Sequence, residues 1–518
     1  RIAAITFTRK AAGEMRGRFL LRLQERLAEA HGKDAARLQH ALDRVDQCFI
    51  GTIHSFCGQL LRERPVEAGV RPDFTELDQR EETRLSRRAW DDFVQQCFEG
   101  EDTRLEALEV MGIRLPDLHA FFNHRCRFSA LPLKVRNIQP PDLNKAVNAA
   151  QLFVDEVARH IPDPLPDGQD AFMETFERAQ LFVNNCDLSS DRQKVTLLKI
   201  LHSLEKRGVT LKRWAPNQVF AKELRDVGRA TFVDNVSGPA LSQWRQYVYP
   251  HVVDFIDDAV AFYDRQRLSM GNMTFQDLLL RATTLVRDSP RVRRYFQERY
   301  QTLFVDEFQD TDPIQAELLF YLTGRNIEET DWQSLEPKSG SLFIVGDEKQ
   351  SIYRFRRADV GTFRLTGERL QATGGIIEQL NTSFRSLGNL CKWVNATFGS
   401  LFKTFAPEYQ AEFAPMLQYK PNGQDDYCVR QIRLDKVYYH RRKTIVELEM
   451  ERIADFISAA LAGQTELNQI GAGAILGERA EPGDFMILTQ TRKMLPLYAQ
   501  ALEARGIPYD VSGGGQLG

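Results

Sequence analysis

The sequence predicts an α/β protein in which two parallel-sheet domains flank a mostly helical insertion. Near both ends of the 518-residue chain, short apolar runs that end in polar residues alternate with helical patterns, an order typical of parallel sheets. Between residues 77 and 269, charged and apolar residues recur with helical period and strand-like runs are scarce. We therefore expect a first sheet domain of residues 1–76 and 270–375, and a second of residues 376–518.

The composition is that of a soluble globular protein, with 43% hydrophobic and 27% charged residues. A net charge of −3 neither requires nor excludes nucleic acid, because a local basic groove is sufficient to bind phosphates. The seven cysteines form no C-x-x-C pair, which fits a reducing cytoplasm, and no apolar run approaches the length of a membrane span. The chain starts without Met and stops in a glycine-rich loop, so we expect a longer parent protein.

The run Leu303–Asp312 organises the chain, because a short apolar strand ends there in the adjacent carboxylates Asp306 and Glu307. α/β proteins bind their ligands at the carboxyl ends of parallel strands. Two carboxylates at such an end suit a hydrated magnesium, since one faces the water shell of the metal and the other points to an attacking water. The alternative is a strand followed by a capped turn, with Asp310 or Thr311 as the helix N-cap.

The N-terminal segment predicts a strand, a turn and a helix. Ile2–Phe7 is a strand candidate, and Thr8 opens a basic turn before a helical pattern. Hydroxyls and cations at a helix N-terminus suit a phosphate contact, and the alternative is an N-capped surface helix. A second strand is predicted at Phe49–Ile53, directly before His54, which either donates a proton, binds a ligand or hydrogen-bonds a turn.

Later in the chain, Thr274 is a candidate cap for a helix, and Leu342–Val345 is a strand that again ends in acidic residues. Gln350 and a cluster of aromatic and arginine residues around Tyr353 and Phe355 follow this strand. Their rings offer faces for stacked bases and their guanidinium groups offer cations for phosphates. The alternative is that the rings pack in a domain core while the arginines are exposed.

The second sheet domain begins with a predicted strand, after which Arg385 stands at the start of a helix. An arginine there suits an arginine finger, and a surface arginine is the alternative. The strands predicted in this domain are residues 376–380, 429–434, 485–488 and 507–511, and the helices are residues 387–402, 446–461 and 494–505.

Taken together, these motifs resemble those of the UvrD/Rep group of superfamily 1 DNA helicases. Thr6–Met15 resembles motif Ia, and Gly51–Cys57 resembles the motif that follows it. Val305–Thr311 resembles motif II, Val345–Arg356 resembles motif III, and Phe384–Ser386 resembles motif IV. Five motifs in the family's order cover both sheet domains, whereas the helical insertion matches by position only.

The resemblance implies two RecA-like domains of the P-loop NTPase type, with ATP between them and an accessory helical insertion, 1B-like, in the first. Asp306 would hold magnesium through its water shell, and Glu307 would orient and deprotonate the attacking water. Gln350 would sense the γ-phosphate. Arg385, from the second domain, would stabilise charge on the transferred phosphoryl group.

The resemblance also implies a 3′ to 5′ DNA helicase that translocates on single-stranded DNA and unwinds duplex DNA in repair or recombination. The large insertion and the segment Thr274–Leu279 are most similar to the RecB/AddA branch, which implies that a second protein of a helicase–nuclease complex is the partner. The residues expected along the path of the single strand are Thr6, Phe7, Thr8, His54, Tyr353, Phe355 and Arg356.

The sequence departs from the family's pattern in several places. It contains no G-x-x-x-x-G-K-[ST] phosphate loop, it lacks the family's motifs V and VI, and Ser383 stands where Asn is usual in motif IV. We therefore expect an internal fragment of a helicase that hydrolyses ATP poorly. The alternatives are a DNA-binding subunit that never needed ATP, which the intact carboxylates disfavour, and a nuclease, for which no core of paired carboxylates and a lysine is apparent.

Overall fold

A computed structural model divides the chain into two compact units. One comprises residues 1–50 and 300–518, and the other residues 51–299. We call the first the sheet-bearing unit and the second the helical unit. The structure describes residues 1–128, 132–163, 165, 168–354, 357–402, 411–421, 429, 431–433, 442–463 and 480–511.

Strands and helices are numbered in chain order over these described residues. The strands are β1 Ile2–Thr6, β2 Phe49–Thr52, β3 Thr75–Glu76, β4 Asn272–Met273, β5 Thr302–Val305, β6 Leu342–Ile344, β7 Thr382–Leu387 and β8 Leu417–Lys420. The α-helices are α1 Arg9–Glu29, α2 Gly32–Asp43, α3 Ile53–Glu63, α4 Gln79–Glu99, α5 Thr103–Val110, α6 Leu115–Arg127, α7 Asn144–Ala158, α8 Ala171–Asn185, α9 Asp191–His202, α10 Gln218–Glu223, α11 Arg229–Phe232, α12 Gly238–Ser269, α13 Phe275–Asp288, α14 Pro290–Arg299, α15 Pro313–Thr323, α16 Val360–Ala372, α17 Gly388–Leu401, α18 Arg442–Leu461 and α19 Leu495–Glu503.

The main sheet has the strand order β2-β1-β5-β6. β1, β5 and β6 run parallel, with Ile5 opposite Val305 and Val305 opposite Ile344. These strands therefore deliver the segments that follow them to the same edge of the sheet. The four strands predicted in this half of the chain are confirmed to within one residue, and the predicted α/β class with parallel sheets is confirmed.

The two faces of this sheet differ in burial. Ala3, Ile5 and Leu303 are buried on one face. On the other face Phe304 is 38% exposed and Phe343 is 57% exposed, with their ring centroids 5.7 Å apart. Because strand side chains alternate between faces, Leu303 and Val305 of β5 are packed in the core while Phe304 and Phe343 border solvent.

The second predicted sheet domain contains less sheet than expected, with β7 and β8 as its parallel pair. Residues 376–380, 485–488 and 507–511 are irregular, so these strand predictions are wrong. An apolar run forms a strand only where a neighbour accepts its backbone hydrogen bonds, and in the described residues no strand pairs with these runs.

The apolar side chains of two of these runs have another role, because Ile487 and Ile507 pack in a cluster with α18 and α19. The prediction at 429–434 lies partly outside the described residues, and its described residues, 429 and 431–433, are irregular. The three helices predicted in this domain are confirmed as α17, α18 and α19, with shifted ends.

The helical unit confirms the predicted helical texture, and two clusters of buried side chains form its core. The first cluster gathers side chains from α7, α8, α9 and α12, with Trp214 fully buried. The second gathers side chains from α4, α6 and α12, including Trp90 and Phe122. Asp170 is buried beside the first cluster, where it caps α8 and accepts a hydrogen bond of 2.9 Å from Trp214 Nε1.

Helix α12 is shared by both clusters. It is 32 residues long and contains Pro250. Trp244 and Val248 belong to the first cluster, and Phe255 and Ile256 belong to the second. One continuous helix therefore carries the two cores, and the proline lies between the parts that face them.

A cluster of charges around one buried arginine joins α12 to α13. Arg267 is 4% exposed and pairs with Asp264 and Asp277. Burial opposes the charge of Arg267, but Asp277 and Asp264 outweigh it and raise the pKa of the guanidinium. Asp277 also forms a capping box with Thr274, which confirms Thr274 as the cap of α13.

The two compact units do not coincide with the predicted domain boundaries. The helical unit starts at residue 51 and ends at residue 299, so it includes α3, α13 and α14, which the sequence assigned to the first sheet domain. Helices α3 and α13 pack against each other within this unit. The assignment of the chain to two RecA-like domains with a helical insertion in the first stays a prediction. None of the described helices is both long and apolar enough to cross a membrane.

Candidate active site

The two adjacent carboxylates follow β5 directly, at the carboxyl edge of the main sheet. Glu307 has a left-handed backbone with φ of 55°, and its N–H donates a 3.0 Å hydrogen bond to Asp306 Oδ1. A residue with a side chain costs about 1–3 kcal/mol in this conformation, and such strain concentrates at functional sites. Asp306 is half-buried and Glu307 is exposed, so the turn presents the second carboxylate to solvent.

A capped helix does follow these carboxylates, but neither predicted residue caps it. Asp312 is the N-cap of α15 and accepts a 2.8 Å hydrogen bond from the N–H of Gln315. The predictions of Asp310 or Thr311 as the cap are therefore wrong. The cap was predicted one or two residues too early, because Pro313 at the first helical position places the start of the helix later than the polar run suggests.

Gln309 connects the ends of β5 and β6. Its Nε2 donates to Glu307 Oε2 at 2.5 Å, and its Oε1 accepts a 3.0 Å hydrogen bond from the N–H of Asp347. Its carbonyl oxygen accepts a 3.0 Å hydrogen bond from Ser351 Oγ. A Cβ at Gly346 would lie 2.8 Å from Gln309 Oε1, so this close approach of the two strand ends requires glycine there.

The loop after β6 is organised around Asp347. Its carboxylate accepts hydrogen bonds from the Lys349 N–H at 3.0 Å and from Gln350 Nε2 at 3.1 Å, and Lys349 Nζ lies 2.9 Å away. Burial favours the neutral carboxyl, but the contacts with Lys349 and Gln350 outweigh it and lower the pKa of Asp347. Asp347 is therefore an anion that holds Gln350 in the loop.

The segments after β1 and β6 meet through two aromatic rings, since the centroids of Phe7 and Tyr353 are 5.2 Å apart. Thr6 is buried, and Thr8 is exposed and caps α1 through a 3.1 Å hydrogen bond from the Ala11 N–H. The expected N-capped helix therefore exists. Of the predicted DNA-path residues, Phe355 and Arg356 lie outside the described residues.

His54 lies in the helical unit, near the start of α3. Thr52 caps this helix and accepts a 3.3 Å hydrogen bond from the Ser55 N–H. The imidazole of His54 packs against the ring of Phe275 at the start of α13, with centroids 5.1 Å apart. The side chain is partly exposed, so one side of the imidazole is packed while another remains accessible.

Arg385 lies within β7 and not at a helix start, so that part of the prediction is wrong. Its carbonyl oxygen accepts a 3.3 Å hydrogen bond from Lys420 Nζ. Over the described residues its guanidinium forms no hydrogen bond or ion pair, and it is exposed. The neighbouring Phe384 is also exposed and packs against Tyr419, with ring centroids 4.7 Å apart.

The donor set at the sheet edge fits a magnesium ion held largely by water. Asp306, Glu307 and Asp347 supply carboxylate oxygens, which are hard ligands of the type that Mg²⁺ prefers. Among the described side chains, no three His, Cys, Asp or Glu residues form a cage for a metal. Magnesium commonly binds through one or two carboxylates and substrate phosphates. Asp306 and Glu307 would supply carboxylates of this kind at the sheet edge.

The structure therefore brings together Asp306 and Glu307 with the loop of Gln350, and separately Phe7 with Tyr353. Gln309 is a member of this site that was not predicted. It stands in the polar run Asp306–Asp312, where nothing distinguishes it from its neighbours, and its contact with Asp347 depends on how β6 approaches β5 in space.

A parallel sheet with carboxylates and amides at the ends of adjacent strands defines an α/β protein of the nucleotide-binding class. The chain belongs to the UvrD/REP helicase family, because the profile of the UvrD/REP helicase N-terminal domain matches residues 1–371. The resemblance inferred from the motifs is thereby confirmed.

Curated relatives point to the helicase–nuclease branch of this family. An ATP-dependent helicase/nuclease subunit from Syntrophomonas wolfei is 25% identical over 444 residues, which cover 77% of this chain and 34% of the relative. The protein of the same name in Listeria welshimeri is 22% identical over 566 residues, which cover 98% of this chain and 45% of the relative. The chain thus spans between a third and a half of the length of these relatives.

Proposed function

We propose that the full-length protein is an ATP-dependent DNA helicase of the cytoplasm that moves 3′ to 5′ on single-stranded DNA and unwinds duplex DNA in repair or recombination. The observation that carries this proposal is the link from Glu307 through Gln309 to the loop that also holds Tyr353. One loop thereby connects a candidate hydrolytic carboxylate with a candidate base-stacking ring. Relatives named as helicase/nuclease subunits support a partner protein in the same complex.

The proposed chemistry assigns one role to each polar group at the sheet edge. Glu307 orients a water molecule and accepts its proton, and its exposed position leaves room for that water. Asp306 holds the water shell of magnesium, which when bound neutralises charge on the phosphates of ATP. Gln350, now held by Asp347, senses the γ-phosphate, and Arg385 supplies a positive charge from the second domain.

The proposed DNA path uses aromatic faces and a few polar contacts. Phe7 and Tyr353 already pack together, and such rings bind bases of any sequence by stacking. Thr8 and, in the helical unit, His54 are also assigned to DNA contact, as are Phe355 and Arg356, which lie outside the described residues. Thr6 is buried, so we assign it to contact through its backbone or to support of Phe7.

This chain on its own is proposed to hydrolyse ATP poorly, because its sequence contains no G-x-x-x-x-G-K-[ST] loop to cradle the phosphates. Steady-state ATP hydrolysis by the 518-residue chain with single-stranded DNA tests this proposal. Turnover at the rate of the full-length protein would refute it.

The assignment of Glu307 is tested by Glu307→Gln in the full-length protein. We expect ATP binding to be retained and turnover to fall by about 10³-fold, because loss of a general base costs about 10² to 10⁴ in rate. ATP hydrolysis and strand separation are measured beside Glu328→Gln, an exposed glutamate on a distant loop, which should behave as wild type. Unwinding by Glu307→Gln at the wild-type rate would show that the base is another residue.

A further inference from the structure

The side-chain amide of Gln309 bridges two of the proposed functional segments. The side chain is 2% exposed, and both ends of its amide are hydrogen-bonded. The orientation of the amide follows from its partners, because the N–H of Asp347 can only donate and a carboxylate of Glu307 only accepts. The oxygen therefore faces Asp347 and the nitrogen faces Glu307.

Glu307 has little else to fix its carboxylate. The residue is exposed and stands in the left-handed backbone region, where its side chain leaves the turn without the support of a regular strand or helix. The hydrogen bond from Gln309 Nε2 at 2.5 Å is the contact that fixes the carboxylate direction in the described structure. A general base must hold its oxygen within hydrogen-bond reach of the attacking water.

We infer that Gln309 is a positioning residue that sets the direction of the Glu307 carboxylate and fastens it to the loop after β6. This inference rests on the proposed role of Glu307 as the base. Gln309 itself is buried, so it acts through Glu307 and does not touch the reacting atoms. Gln309 thereby holds the Glu307 carboxylate in its reactive direction only when the loop after β6 is in place.

The same residue links the base to the proposed DNA side of the loop. The carbonyl oxygen of Gln309 accepts a hydrogen bond from Ser351, two residues before Tyr353, whose ring packs on Phe7. A shift of this loop therefore changes both contacts of Gln309 with it, and through Nε2 it changes the aim of Glu307. Stimulation of hydrolysis by single-stranded DNA would depend on this connection.

The first test separates the two ends of the amide without nucleotide. Gln309→Met is similar in length and loses both hydrogen bonds, whereas Gln309→Glu keeps an oxygen for the Asp347 N–H and replaces the amide donor with a carboxyl that repels Glu307 or shares one proton with it. Hydrogen exchange of the full-length protein is followed in the peptide that contains Asp347. We expect exchange at that amide to be about five- to tenfold faster in Gln309→Met, as for loss of one hydrogen bond, and unchanged in Gln309→Glu.

The second test measures ATP hydrolysis with and without single-stranded DNA. We expect both variants to lower kcat with DNA by about 10²-fold, the typical effect of a misplaced reacting group, with the KM for ATP unchanged. The factor by which single-stranded DNA stimulates ATP hydrolysis should fall together with kcat. Gln315→Met, at a nearby glutamine in the first turn of α15, serves as the control and should keep the wild-type rate and stimulation.

A double substitution decides whether Gln309 acts through Glu307. In the Glu307→Gln background, Gln309→Met should lower the residual rate no further, because residues that act as a unit are not additive. A further tenfold loss there would assign Gln309 a different role and overturn the inference. Wild-type turnover in both Gln309 variants, with Glu307→Gln inactive, would overturn the inference about Gln309 and leave the proposed base in place. Full turnover in Glu307→Gln would instead refute the proposed base.

Discussion

Buried polar groups serve different ends in the two units. In the helical unit, Arg267 and Asp170 are buried against partners that join helices to one another. In the sheet-bearing unit, the buried Gln309 is hydrogen-bonded to an exposed, backbone-strained Glu307. In the helical unit, buried polar groups therefore complete a core. In the sheet-bearing unit, a buried polar group holds an accessible carboxylate in an unfavourable conformation.

The largest expected effect on stability is in the helical unit. Arg267→Met removes the buried partner of Asp277, whose side chain is 15% exposed, and breaking a buried pair on one side costs about 3–5 kcal/mol in the free energy of unfolding. Urea unfolding measures this loss. Arg265→Met, an exposed neighbour on α12, should stay within about 0.5 kcal/mol of wild type. Equal losses in the two variants would remove the contrast between buried and exposed charge.

A smaller, pH-dependent effect is expected at the cap of α15. Burial raises the pKa of Asp312, although the Gln315 N–H and Arg357 oppose it. The folded state therefore holds this proton more tightly than the unfolded chain, and the stability that it contributes below about pH 4 is lost as the pH rises. Asp312→Asn keeps a good N-cap and does not titrate.

We therefore expect Asp312→Asn to exceed the wild type in stability by about 1 kcal/mol near pH 7, a typical single-site effect. The two proteins should converge below about pH 3, where Asp312 is neutral in both states. Urea unfolding across this range is the measurement. A stability difference between the two proteins that does not vary with pH would show that Asp312 acts through its capping hydrogen bonds alone.

The smallest effect is expected on the exposed face of the main sheet. Phe343→Thr replaces a ring that is 57% exposed with a residue that strands accept, so we expect a change within about 1 kcal/mol, the range of one cross-strand pair. Val305→Thr, on the buried face, places a hydroxyl in the core and should cost about 1–3 kcal/mol. Thermal unfolding of this chain compares them, and an equal loss at both positions would mean that the two faces are equally packed.

The elements that were predicted correctly depend on local pattern. The helices from residue 77 to 269 follow from their period, and the strand before Asp306 follows from an apolar run that stops at acid. The strands wrongly predicted at 376–380 and 485–488 have the same apolar character. Pattern alone does not reveal whether a neighbouring strand is present to accept the backbone hydrogen bonds.

Some features of the candidate site likewise follow from local sequence pattern, whereas others depend on contacts between distant segments. The positions of Asp306, Glu307 and Gln350 after strands were predictable, because each follows an apolar run that ends in polar residues. Their roles stay predictions. The contact of Gln309 with Asp347 was not predictable, because the two residues are 38 positions apart in sequence and meet only through the parallel pairing of β5 with β6. The left-handed backbone of Glu307 was equally invisible, since no glycine or asparagine marks it.

The long helix α12 has a mechanical consequence. Its 32 residues correspond to a rod of roughly 48 Å, to which the two hydrophobic clusters are attached on either side of Pro250. The proline removes one backbone hydrogen bond and makes that turn the weakest point of the rod. A torque applied to one cluster is therefore carried to the other along α12, and it is relieved first by bending at Pro250.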